Sequence, residues 1–172
     1  MRAKKLPARL AAMAGFVDAG ESIADIGADH GYLPLHLVME GISPFAILTD
    51  ARLGPLEKTR ISVAKAGSQR IGQKIELRLG DGLAALHESE VDVVVIAGMG
   101  GDTIMAILGS DTQKTGSFRK YILQPRTKTK ELKTWLTNSG WTITAEASAE
   151  ERGRICDIIT GMPPGGKHDQ EV

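Results

Sequence analysis

The chain has 172 residues, enough for one domain with its own apolar core, and its 21 Lys plus Arg balance 21 Asp plus Glu. No global field therefore draws in nucleic acid, and any RNA would be held by a local patch. A single cysteine, Cys156, excludes an intramolecular disulfide and a cysteine-based zinc cluster and fits a reducing, cytoplasmic compartment, while the scattered histidines at 30, 36, 87 and 168 and the lack of a membrane-length apolar run argue against metal and membrane.

In chain order, Leu6, Leu10, Met13, Phe16 and Val17 recur at three- and four-residue steps and predict an opening amphipathic helix with basic residues around its start. Residues 22–27 read as a buried strand and 31–40 as a helix, with Pro34 tolerated in a first turn whose N–H groups lack helical partners. A continuous apolar strand over 45–50 ends in Asp50, and a helix over 54–66 follows, closed by Gly67. Residues 74–79 alternate apolar and polar, which suits a strand near the sheet edge, and stop at Gly80-Asp81-Gly82. Residues 91–97 are apolar on both faces, the pattern of a central parallel strand, and run into Gly98-Met99-Gly100-Gly101.

Asp102 is expected to cap a helix through Leu108, a polar linker to span 110–116, a strand to occupy 121–125 and a helix 127–138. The pattern then changes to two strands, 141–150 and 154–162, joined by a short turn into an antiparallel hairpin. Residues 163–172 are Gly, Pro and charge, hence a disordered tail after a domain of 1–162. The whole predicts an α/β fold: a Rossmann-like, doubly wound, mostly parallel seven-stranded sheet with a C-terminal antiparallel hairpin. Ligands of such sheets bind at the carboxyl ends of the strands, where strand order reverses.

The first strand end is the most informative. A dinucleotide fingerprint beginning at Gly27 needs glycine at 29 and 32, and this chain has Asp29 and Tyr32. A carboxylate there repels a pyrophosphate and suits a ligand with ammonium and sulfonium centres, such as S-adenosylmethionine. On that reading Gly27 lets the backbone approach the methionine half, and Asp25 or Asp29 meets its ammonium. Asp50, followed by Ala51, takes the ribose hydroxyls; Asp81, between Gly80 and Gly82, takes the adenine amino group. Ala97, Gly98 and Met99 border the methyl group, where small residues admit a flat base and Met99 packs on its face. His30 and Tyr32 flank the same pocket.

The strings Ala24-Asp-Ile-Gly-Ala-Asp-His-Gly-Tyr-Leu-Pro34, Gly54-Pro-Leu56, Gly80-Asp-Gly-Leu83, Ile96-Ala-Gly-Met-Gly-Gly101 and Leu123-Gln-Pro125, with Lys5-Leu6 and Arg9-Leu10, resemble the TrmK family of bacterial tRNA adenine N1-methyltransferases. The resemblance spans most of residues 5–160 and implies a class I methyltransferase that uses S-adenosylmethionine to methylate N1 of adenine 22 in tRNA. It implies Asp29, His30 and Tyr32 as the catalytic set: Asp29 stabilising the cation that develops at N1, His30 relaying a proton, Tyr32 stacking. Backbone grip on the RNA would fall to Arg2, Lys5, Arg9, Arg52, Arg126 and Lys128. Similar proteins continue into a helical C-terminal domain, whereas this sequence stops soon after the hairpin. Another RNA or a small molecule as methyl acceptor, and a cofactor-binding module without turnover, remain the alternatives.

Overall fold

The computed structural model describes residues 5–28, 30–66 and 69–165. In chain order these form α1 (Ala8–Ala14), β1 (Ile23–Ile26), α2 (Tyr32–Met39), β2 (Ala46–Asp50), α3 (Leu53–Ala66), α4 (Gln69–Gly72), β3 (Ile75–Leu79), a 3-10 turn (Gly82–Ala85), β4 (Val93–Met99), α5 (Gly101–Ser110), α6 (Thr112–Gly116), β5 (Lys120–Pro125), α7 (Thr129–Asn138), β6 (Thr142–Glu151) and β7 (Arg154–Met162). One seven-stranded sheet runs in the order β3-β2-β1-β4-β5-β7-β6. The pairs among β1 to β5 are parallel, and β7 lies antiparallel to both β5 and β6. The expected fold class, the edge position of β3 and the central position of β4 all hold.

Period-two alternation sends side chains to opposite faces. Ala24, Ile26, Val94, Ile96, Tyr121 and Leu123 pack with Ile104, Leu108, Leu132 and Leu136 beneath α5 and α7. Ile23, Val93, Val95 and Ile122 pack with Met13, Leu33 and Leu37 beneath α1 and α2. Covering both faces explains why β4 is apolar throughout: Val93 to Ile96 are fully buried. β6, at the far edge, alternates exposed and half-buried residues.

Three details depart from expectation. Gly100, not Asp102, is the N-cap of α5; Asp102 lies in its first turn, still favourable to the helix dipole, and pairs with Lys128. The segment expected as a linker contains the short helix α6, capped by the Asp111 carboxylate, which accepts the Lys114 N–H at 3.0 Å. The last helix starts two residues later than predicted, because Lys128 sits in the left-handed region at φ 56°. Of the expected tail, residues 163–165 are described and Pro163 is buried; the rest lies outside the described residues, as does Gly67.

Candidate active site

Strand order reverses between β1 and β4, so the ends of β2, β1 and β4 meet at one edge. Register makes this concrete. Ile26 lies between Thr49 and Ile96, Asp50 pairs with Leu79, and Ala97 pairs with Gln124. The turn after β1 is fastened to β2: the N–H groups of Gly27 and Ala28 both donate to the Thr49 carbonyl, at 2.8 and 3.1 Å. From α3, the buried Thr59 hydroxyl reaches the Ala28 carbonyl at 2.9 Å.

Gly27 turns at φ 72°, and a Cβ built on it would come within 2.5 Å of the Met99 methyl. The β1 and β4 turns therefore face one another, with the flexible end of Met99 over the glycine. In the β4 turn the glycines differ. Gly98, at φ 73°, has open space where its Cβ would be, whereas a Cβ on Gly101 would meet the Thr127 and Lys128 carbonyls at 2.8 and 2.9 Å. Gly98 leaves room on the site; Gly101 lets α5 start against the β5–α7 connection.

Three carboxylates line this edge among the described residues. Asp25 shares the face of Ile23, toward α1, and is 9% exposed; burial pushes its carboxyl up to about 7, with the nearby Arg9 guanidinium pulling the other way. Asp50, also buried, accepts the Arg52 N–H at 2.9 Å, which aims the carboxylate while leaving it acceptor capacity. The Arg52 side chain is exposed with Nε 3.6 Å from the same oxygen, and Ala51 is exposed beside it. The Gly80 N–H donates to the Asp50 carbonyl at 2.9 Å, bringing the next turn alongside. There Asp81 is exposed at the N-cap of the 3-10 turn that Gly82 begins, and its side chain makes no capping bond. Among the described residues no group of His, Cys, Asp and Glu is arranged to hold a metal ion.

His30 and Tyr32 stack with ring centroids 5.2 Å apart and planes 16° from parallel, and Tyr32 is 40% exposed. Asp29, between them and Gly27 in sequence, lies outside the described residues, as does Arg2. Of the expected RNA contacts, Lys5, Arg52 and Arg126 are exposed, and Arg126 adjoins the β4 turn because its N–H donates to the Met99 carbonyl at 2.7 Å. Lys128 is exposed in its ion pair with Asp102. Arg9 departs from expectation: its guanidinium turns inward to Glu151 at 3.3 Å and to the Gln124 oxygen at 3.1 Å, so it braces α1 against the sheet instead of presenting charge to solvent.

Two residues had no role in the sequence reading. Arg78 donates to both Glu90 oxygens, at 2.8 and 2.6 Å, and to the Ala85 carbonyl at 2.9 Å, tying the end of β3 to the turn that carries Asp81. Gln124 is 3% exposed and bridges Arg9 to the Gly98 N–H. A glutamine inside the apolar run Tyr121 to Pro125 was the visible signal; its partners were not.

The model of a methyltransferase domain family matches residues 6–159. The chain is 33% identical over 159 residues to the tRNA (adenine(22)-N(1))-methyltransferase of Bacillus subtilis, covering 92% of this chain and 66% of that protein. The crystal structure of Streptococcus pneumoniae Sp1610 in complex with S-adenosyl-L-methionine superposes with TM-score 0.87 at 35% identity, covering 96% of this chain and 77% of that one. M. capricolum TrmK in complex with S-adenosyl-homocysteine superposes with TM-score 0.82 at 30% identity, covering 98% and 74%. The chain spans between 60% and 66% of the length of the curated tRNA methyltransferase relatives it matches. With the sheet order, the glycine and acid strand ends and these likenesses in agreement, the chain belongs to the methyltransferase domain family, in the TrmK group.

Proposed function

We propose that the chain is an S-adenosylmethionine-dependent methyltransferase that acts on N1 of an adenine in tRNA. The observation that carries the reading is the meeting, across the reversal of strand order, of Gly27, Asp50 and Asp81 on one side and the Gly98–Met99 turn on the other. This donor set fits the cofactor: a turn without a side chain at Gly27, a buried carboxylate at Asp50 for two vicinal hydroxyls, an acid at Asp81 without a capping bond for an exocyclic amine, and the buried Asp25 for a cation. No lysine or arginine occupies the turn after β1 to receive a pyrophosphate. When bound, the cofactor supplies a methyl group already activated by its sulfonium.

The protein's share of such a reaction is positional. It has to hold the adenine N1 in line with the methyl carbon at near-attack distance, an effect that can supply several kcal/mol. N1 lies on the pairing edge of the base, so the adenine must leave its stack first, and the His30–Tyr32 pair offers a ring surface to receive it. Methylation leaves positive charge on the ring, which the Asp29 carboxylate stabilises, and His30 accepts the proton then released from the exocyclic amine. Lys5, Arg52, Arg126 and Lys128 hold the RNA backbone; Arg9 serves the scaffold. The reaction is confined to the cytoplasm, where tRNA is modified.

The test is transfer of labelled methyl to total tRNA and, separately, to rRNA, followed by mapping of the modified adenine. Transfer to N1 of a tRNA adenine, abolished by Asp29→Ala in a folded protein, supports the reading. Transfer to rRNA alone, or cofactor binding with no transfer to either RNA, rejects it.

A further inference from the structure

The β4 turn borders the site, and one buried side chain determines its shape. The pairing of β4 with β5 shifts register between Ala97 and Met99, leaving Gly98 in a bulge at φ 73°. A bulged N–H has no partner in the ladder. Here the Gln124 carboxamide oxygen accepts it at 3.1 Å.

Gln124 follows Ile122 by two residues, so its side chain shares the face that carries α1. On that side the same oxygen accepts Arg9 Nη1 at 3.1 Å, and Arg9 is held by Glu151 at the hairpin end of β6. The amide nitrogen donates to the Pro125 carbonyl at 3.1 Å. Both polar atoms of a 3% exposed carboxamide are thus satisfied, by partners from β4, β5 and α1. A strand that only needed filling there would take leucine, since a buried amide is costly without its hydrogen bonds.

We infer that Gln124 is a positioning residue for methyl transfer: its carboxamide oxygen, held by Arg9, fixes the bulge at Gly98 and with it the place of Met99 opposite Gly27. The inference rests on the methyltransferase reading above. The Gln124 side chain is buried behind the turn, with Gly98, Arg9 and Pro125 as its partners, so it acts through the wall against which the adenine is held. A misplacement of that wall costs turnover more than cofactor affinity, because the contacts at Asp50 and Asp81 lie across the site.

Gln124→Met keeps the volume and removes the acceptor, whereas Gln124→Glu keeps an acceptor for both Gly98 and Arg9. Two readouts are compared with wild type: hydrogen exchange of the Gly98 amide in the protein without RNA, and kcat with the Kd for S-adenosylmethionine. In Gln124→Met, exchange at Gly98 speeds up at least about tenfold and kcat falls about tenfold with Kd within about threefold, and Gln124→Glu recovers both. Unchanged exchange at Gly98 in Gln124→Met overturns the inference, as does loss of kcat that Gln124→Glu does not recover. Should wild type transfer no methyl to tRNA, the functional reading fails while the exchange arm still decides whether Gln124 holds the turn. If Gln124→Met does not fold, Arg9→Met replaces it: faster exchange at Gly98 supports the brace and unchanged exchange refutes it.

Discussion

At the residue scale Asp25 combines burial with a titration near neutrality. Its carboxyl moves from 3.8 to about 7 on folding, mainly by loss of water. Between those values the folded protein keeps a proton that the unfolded chain releases. Stability therefore falls as pH rises through that window and levels off above it, by at most about 4 kcal/mol. Asp25→Asn removes this slope, so urea unfolding at about pH 5 and about pH 8 should show its advantage over wild type growing with pH. An equal difference at both values would mean that Asp25 does not titrate there. Asp50 bears on ligand binding instead. On the proposed function its carboxylate, held by the Arg52 N–H, accepts a pair of ribose hydroxyls, so Asp50→Ala is expected to weaken S-adenosylmethionine binding by roughly 2 kcal/mol, about thirtyfold in Kd by calorimetry.

Residues of this kind differed in how legible they were. Asp50 could be read from the sequence because an apolar run ending in an acid defines both a strand and its carboxyl end. Arg9 could not, since a charge on a short amphipathic helix does not say which way it points; here the partners are 115 and 142 residues away, at Gln124 and Glu151. Gln124 is a polar residue in an apolar strand, but its task depends on a bulge in the neighbouring strand that no local pattern announces.

Among elements, the glycines of the β4 turn separate steric from functional demand. In Gly101→Ala the new methyl would meet two backbone carbonyls that cannot move away independently, which is expected to cost about 1 to 3 kcal/mol in unfolding free energy. In Gly98→Ala the space is open and the penalty is the left-handed backbone alone, about 1 to 2 kcal/mol. Urea unfolding of the two variants checks both values; a loss at Gly98 well above about 2 kcal/mol would contradict the open space there. Periodicity found the long elements correctly: β4 by its two apolar faces, β3 by its polar side, and the β6–β7 hairpin by its alternation. It passed over α4, α6 and the 3-10 turn at Gly82–Ala85, each of four or five residues, because such pieces are too short to complete a helical period. Their shape is settled by caps and tertiary contacts instead, as the Asp111 cap of α6 and the Arg78–Glu90 pair beside the 3-10 turn illustrate.

For the whole molecule, zero formal charge means that, on the proposed tRNA methyltransferase function, RNA affinity has to come from the distribution of charge around the strand ends. Arg126, exposed beside the Met99 carbonyl, is the residue we propose for a phosphate contact near the base. Arg126→Glu is expected to weaken tRNA binding and to lower the slope of log affinity against log salt by about 1, measured by filter binding across a salt series. An unchanged slope would remove Arg126 from the RNA path.

All of this depends on the ligand for which the strand ends are built, and a calorimetric titration with S-adenosylmethionine, run beside one with NAD, addresses that ligand most directly. One site per chain is expected for S-adenosylmethionine, weakened in Asp50→Ala, with no heat from NAD. Equal binding of NAD, or S-adenosylmethionine binding indifferent to Asp50, would contradict it.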